Sequence, residues 1–235
     1  MEWSFELDGE ASDKLVLRPL ASACNCTIRP GPNGTPWLGG TKFNSTTTPE
    51  QALEEAKKTL AGLNGLARLE NLQHRTVTLG NAYRQDQRLH YIKSSSPRIP
   101  KSEVYEYASP LTGGPFEPPV DPADDRRRKR IMADPKLAEI PEVFADETTW
   151  QRQRIAFEKI RALVGKNDNA LVKNGYATQS ELTRFKANAQ DPRHSGHEAV
   201  LGVPRGRLKG TKMTEREGFD LIVRLFNTYM DRQPE

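Results

Sequence analysis

The sequence predicts an α+β protein: a mixed strand and helix domain over residues 1–110, a proline-rich linker with a basic run over 111–135, and a helical region over 136–235. Three observations carry this reading. Apolar residues alternate with polar ones along much of the first hundred positions, which is the two-residue period of half-buried strands. Five prolines and the adjacent Gly113 and Gly114 fall within residues 109–123, a density that neither a helix nor a central strand tolerates. Beyond that stretch, apolar residues recur at three- and four-residue spacing behind recognisable caps.

The elements follow in order. Trp3, Phe5 and Leu7 alternate with polar neighbours and predict a first strand. Residues 14–20, with Leu15 and Leu17, repeat the pattern and are read as a second. In residues 23–29, Cys24, Cys26 and Ile28 share one face of a strand, opposite Asn25, Thr27 and Arg29. The segment RPGPNGTPWLGG that follows is dense in turn chemistry: proline fixes φ, while Asn-Gly and Gly-Gly supply positive φ. A helix then starts with Thr48 as cap, Pro49 at the first helical position and Glu50 in the first turn. Leu53, Ala56, Leu60 and Leu63 form its apolar stripe, and Gly62 and Gly65 mark where it frays or ends. Residues 75–79, 88–93 and 103–107 are read as further strands.

In the last hundred residues the helical signals are stronger. Thr148 or Thr149 caps a helix from Trp150, with Phe157, Ile160, Leu163 and Val164 inward and Gly165 closing it. Thr178 with Glu181, and Thr214 with Glu217, are capping boxes. Behind the second, Phe219, Ile222, Val223, Phe226, Tyr229 and Met230 fall on one face of a final helix.

Composition limits the function. The chain has 235 residues, enough for a real core. No run of about eighteen apolar residues exists, so no transmembrane helix is expected. The acidic N-terminus lacks the order of a secretory signal, and a cytoplasmic location is expected. The two cysteines, one residue apart, supply no disulfide framework.

Charge is the most localised feature. Residues 192–212 carry Arg193, Arg205, Arg207, Lys209 and Lys212 against one acid, Glu198, a net +4 that equals the net charge of the whole chain. Arginines among glycines suit close approach to phosphates, and the start of the final helix favours an anion as well. A second basic run, Arg126, Arg127, Arg128, Lys129 and Arg130, follows Asp121, Asp124 and Asp125. Acids ahead of bases match the dipole of an exposed helix, with electrostatic docking as the alternative. Neither a nucleotide P-loop nor a dinucleotide fingerprint is present, and no cofactor is expected.

Two further constellations involve metal-ligating side chains. His194 and His197, beside Glu198, supply an H-x-x-H pair, which would serve a metal-assisted hydrolase with Glu198 as third ligand or base. Their spacing is not the H-E-x-x-H of zinc proteases, and ordinary loop histidines account for them more simply. Cys24 and Cys26 are explained as small buried residues on a strand, without a metal or catalytic role.

Two segments carry a resemblance: ELTRFKANAQDPRHSGHEAV and KMTEREGFDLIVRLFNTYMDR, with the basic Gly/Pro loop between them. Together they resemble the C-terminal third of a group of bacterial proteins of unknown function. GLNGLARLE at 62–70 is similar to a helix end in the same group. The resemblance implies a bacterial, cytoplasmic origin and brings no mechanism. The expected function is therefore a non-catalytic binding or adaptor protein, its basic loop contacting nucleic acid or an acidic protein, away from any membrane. The alternatives are the histidine-based hydrolase and a structural homo-oligomer built on the final helix.

Overall fold

The computed structural model describes residues 3–31, 34–84, 87–89, 121–165, 167–189 and 213–233. These form an α+β fold around a five-stranded antiparallel sheet. Its strands are β1 (Trp3–Asp8), β2 (Cys26–Pro30), β3 (Pro36–Gly40), β4 (Thr78–Arg84) and β5 (Gln87–Leu89), in the order β2-β3-β1-β4-β5. Trp3, Phe5 and Leu7 of β1 are buried as the alternation predicts. Phe5 faces Leu38 on β3 and Ala82 on β4, so one face of the sheet's centre is apolar across three strands.

Residues 14–20 are not a strand. Ala11–Leu17 is a helix, α1, and its buried side chains are Asp13 and Leu17, four residues apart, while Leu15 is 58% exposed. The Leu15–Leu17 alternation misleads because the second inward residue is an acid, held by the backbone N–H of Arg75 at 3.1 Å. Residues 23–29 divide: Ala21–Cys24 is a 3-10 turn, and β2 starts only at Cys26. The turn-rich segment forms the β2–β3 hairpin, with Gly34 at φ +73° and Gly31 N–H donating to Thr35 O at 2.8 Å. Gly39 and Gly40 belong to β3 and need no positive φ; a Cβ on Gly40 would lie 3.1 Å from Cys26 Cβ.

A short helix, α2 (Thr41–Asn44), leads to α3 (Pro49–Glu70). Thr48 caps α3 by accepting from Gln51 N–H. Gly62 and Gly65 do not end it. The helix continues to Glu70, and residues 62–68 are buried on every side. Glycine at 65 instead permits contact with α5 (Pro135–Val143): a Cβ there would overlap the Pro141 carbonyl. Residues 75–77, read as the start of a strand, are a loop whose backbone groups bond side chains of α1 and α3, and the ladder begins at Thr78. Of the strand expected at 88–93 only residues up to 89 are described, and the one at 103–107 lies outside the described residues.

Pro122–Ala133, within the stretch read as linker, is a helix, α4, capped by Asp121. Asp134 ends α4 and caps α5, whose first residue is Pro135. Next come α6 (Trp150–Val164), closed by Gly165 at φ +155°, α7 (Asp168–Lys173), α8 (Gln179–Ala189) and α9 (Glu215–Arg232). Both predicted capping boxes form, at Thr178–Glu181 and Thr214–Glu217. One hydrophobic cluster runs from Trp3 to Met230, joining the sheet, α3 and the later helices. Among the described residues, no helix is long and apolar enough to cross a membrane.

Candidate functional site

The described part of the candidate basic surface is α4. Four of its five basic side chains make contacts within the chain. Arg128 grips Glu70, at the end of α3, through two parallel bonds of 2.7 and 2.9 Å, the planar fork that guanidinium and carboxylate favour. Arg127 donates to Asn227 Oδ1 at 2.9 Å and lies 3.3 Å from Asp231, both on α9. Arg130 reaches Gln233 O at 3.5 Å, and Lys129 pairs with Asp125 one turn earlier at 2.7 Å. Arg126 is exposed. The Lys129 contact, and then the hydroxyl of Ser22, hold the Asp125 carboxyl below its usual range. The run is thus largely a clasp between α4 and the C-terminal ends of α3 and α9.

Arg193, Arg205, Arg207, Lys209, Lys212, His194, His197 and Glu198 lie outside the described residues. The described residues on either side of their segment are buried. Before it, Ala189 closes α8 and is 1% exposed, one turn beyond Phe185, which packs against Phe157 and Trp150. After it, Met213 is buried and Thr214 caps α9. The capping contact lowers the Glu217 carboxyl, with Arg184 at 3.7 Å adding to the effect. Gln153, fully buried on α6, donates to Thr148 O and Glu215 O, both at 2.8 Å, tying the start of α9 to α6. Gly218 makes this possible: a Cβ there would lie 2.6 Å from the Trp150 ring and overlap Gln153 Oε1.

The apolar face of α9 is used inside the chain, with Phe219, Leu221, Ile222, Leu225, Phe226 and Met230 all buried. An open hollow of about 360 Å³ lies beside it, lined by Val172, Tyr176, Thr178, Glu181 and Arg224. Its two charges pair with each other at 2.5 Å. Among the described residues, no group of three or more His, Cys, Asp or Glu side chains is placed to hold a metal.

Sequence reasoning missed a buried polar set at the join between α1, α3 and the 71–77 loop: Asp13, Asn64, Arg68 and His74, none more than 8% exposed. Asn64 acts as a stand-in strand, donating to Val77 O at 2.8 Å and accepting from Val77 N–H at 3.0 Å. With the amide so oriented, His74 Nε2 carries the proton and donates to Asn64 Oδ1 at 3.0 Å. His74 Nδ1 has no hydrogen-bond partner and faces Asp13 Oδ1 at 3.4 Å. Burial pulls the imidazole below its ordinary pKa, against the attraction of Asp13. Arg68 donates to His74 O at 3.2 Å, Thr76 Oγ1 at 3.0 Å and Phe144 O. The signal available in the sequence was two polar residues at i and i+4, Asn64 and Arg68, inside an otherwise apolar stretch of helix. Through Asn64 and Arg68 the set satisfies backbone groups of the 71–77 loop and ties it to α3.

Compared with known proteins, the chain matches no family model, no curated protein and no solved structure.

Proposed function

We propose that this chain is a non-catalytic cytoplasmic binding protein whose 192–212 segment contacts a phosphate-rich or acidic partner, with nucleic acid as the leading case. One observation carries the reading: the segment's net charge of +4 equals that of the entire chain, so the rest sums to neutral. Two features of the fold support it. The other basic run makes internal contacts through Arg127, Arg128, Lys129 and Arg130. The described residues on either side of the segment, Ala189 and Met213, are both buried, so its flanks are anchored in the core.

Salt titration tests the proposal. Five cations on duplex phosphates give a slope of log K against log salt of about −4.5, or a loss of roughly 10²–10³-fold between 50 and 200 mM salt. Replacing Arg205, Arg207, Lys209 and Lys212 with glutamine should flatten the slope to about −1. Arg127→Gln should lower the melting temperature and leave the slope unchanged. Absence of salt-dependent association with DNA or RNA at low ionic strength would sink the nucleic-acid case. If polyglutamate is not bound either, the proposal as a whole fails.

A further inference from the structure

The cysteine pair supports an inference that does not depend on the basic loop. Cys24 ends the 3-10 turn, Cys26 opens β2, and Asn25 alone separates them. Asn25 is the single non-glycine residue with positive φ among the described residues, at φ 52° and ψ 41°. A fully extended chain sets Cα atoms two residues apart at about 7 Å. That exceeds the span of most disulfides, which is about 4.4–6.8 Å. A left-handed residue between the two cysteines shortens that distance. The Cys26 thiol donates to Ala21 O at 3.2 Å, back across the 3-10 turn that carries Cys24. Glycine at position 40, opposite Cys26 in the hairpin, leaves the room that Cys26 occupies.

We propose that Cys24 and Cys26 are a dithiol site that closes reversibly to an intramolecular disulfide by exchange with a small-molecule disulfide, gated by α4. Both cysteines are buried, and α4 packs against the turn that carries Cys24. Ser22 Oγ donates to Asp125 Oδ1 at 2.6 Å and holds α4 in place there, so exchange follows lifting of α4. Cys24 is the attacking group. The neighbouring Cys26 thiol draws it below the ordinary value in spite of burial, with Lys42 adding to the effect, while the same neighbour pushes Cys26 up. The Cys24 thiolate attacks one sulfur of the small disulfide, forming a mixed disulfide and releasing one thiolate. Cys26 then loses its proton to that thiolate and attacks the Cys24 sulfur, expelling the second small thiolate, which takes up a proton from water. In sum, two protein thiols are oxidised to one disulfide and one small disulfide is reduced to two thiols.

The test is native full-length protein incubated with oxidised glutathione, quenched in acid and read by intact mass and free-thiol alkylation. The expected product has lost two hydrogens, carries no adduct and returns to the dithiol with dithiothreitol. Ser22→Ala and Asp125→Asn should each speed closure by ~2–10-fold, the factor of one net hydrogen bond. Cys26→Ser, or Cys26→Ala if the serine variant does not fold, should trap a glutathione adduct on Cys24. The proposal is overturned if the native protein keeps both thiols under conditions that oxidise the urea-unfolded chain, or if an adduct accumulates on Cys26. Unchanged closure rates in the Ser22 and Asp125 variants would overturn the gating by α4.

Discussion

Substituting alanine at Gly65 places opposing effects at one atom. In a helix interior, Gly→Ala is favourable by ~0.8–1 kcal/mol, because alanine loses less backbone entropy on folding. At position 65 the added Cβ would overlap the carbonyl of Pro141, a backbone group fixed in α5 and unable to rotate aside. Overpacking of this kind costs about 1–3 kcal/mol and sometimes more, and a rigid obstacle puts it at the upper end. Because α5 also supplies the turn whose Phe144 carbonyl accepts from Arg68, moving it strains a second buried contact. The net expectation for Gly65→Ala is a loss of about 2 kcal/mol, or roughly 4–8 °C in melting temperature for a chain of this size. Gly62→Ala is the internal control. Its Cβ meets only the terminal methyl of Met132, at 2.7 Å, which can swing away, so the change should lie within about 1 kcal/mol of neutral. Urea unfolding followed by circular dichroism reads both, the midpoint shifting at unchanged slope. If Gly65→Ala is as stable as the parent, α3 and α5 do not meet backbone to backbone and the packing argument is wrong.

Further predictions concern the buried polar set and the unity of the fold. His74 has a lowered folded-state pKa, so the unfolded chain binds more protons between that value and about 6.5. Its contribution to stability is therefore complete above about pH 6.5 and is lost as pH falls through the folded value; His74→Gln should flatten the urea midpoint against pH between pH 7.5 and 5. An unchanged profile would remove His74 as the cause. Arg68→Lys keeps the charge but loses the fork that reaches three acceptors, and should cost about 2–4 kcal/mol in the same urea assay. Finally, unfolding followed through variants retaining only Trp37, on the sheet, or only Trp150, on α6, should give coincident transitions, since one apolar cluster joins both regions. Separate midpoints would show two independent units.

Legibility from sequence followed how local each signal is. The caps at Thr48, Thr178 and Thr214 were readable because both partners lie within three residues. The β1 alternation and the apolar face of α9 were readable for the same reason. What escaped was set by distant partners. Asp13 hides the helical period of α1 because its bond comes from Arg75, and the helix-breaking sense of Gly65 is cancelled by Pro141. Cys24 and Cys26 were expected on one strand face; Cys24 instead ends a 3-10 turn and Cys26 opens β2, with the left-handed Asn25 between them, which strand spacing cannot reveal. Of the candidate site, the sequence showed where charge gathers but not that Arg128 closes on Glu70, 58 residues away.

The contacts of α4 show that a dense basic run can be used inside the chain. Five consecutive cations at 126–130 are denser than anything in the 192–212 segment, yet helical periodicity spreads them around α4. Arg127 turns toward α9, Arg128 toward α3 and Lys129 back to Asp125, each meeting an acid or an amide. A run without glycine or proline folds into a helix, and a helix surrounded by acids uses its cations on itself and its neighbours. In the 192–212 segment glycine and proline fall between the cations, and the segment has a single acid of its own. The denser cluster holds three helices together, while the sparser one has a net charge equal to that of the whole chain.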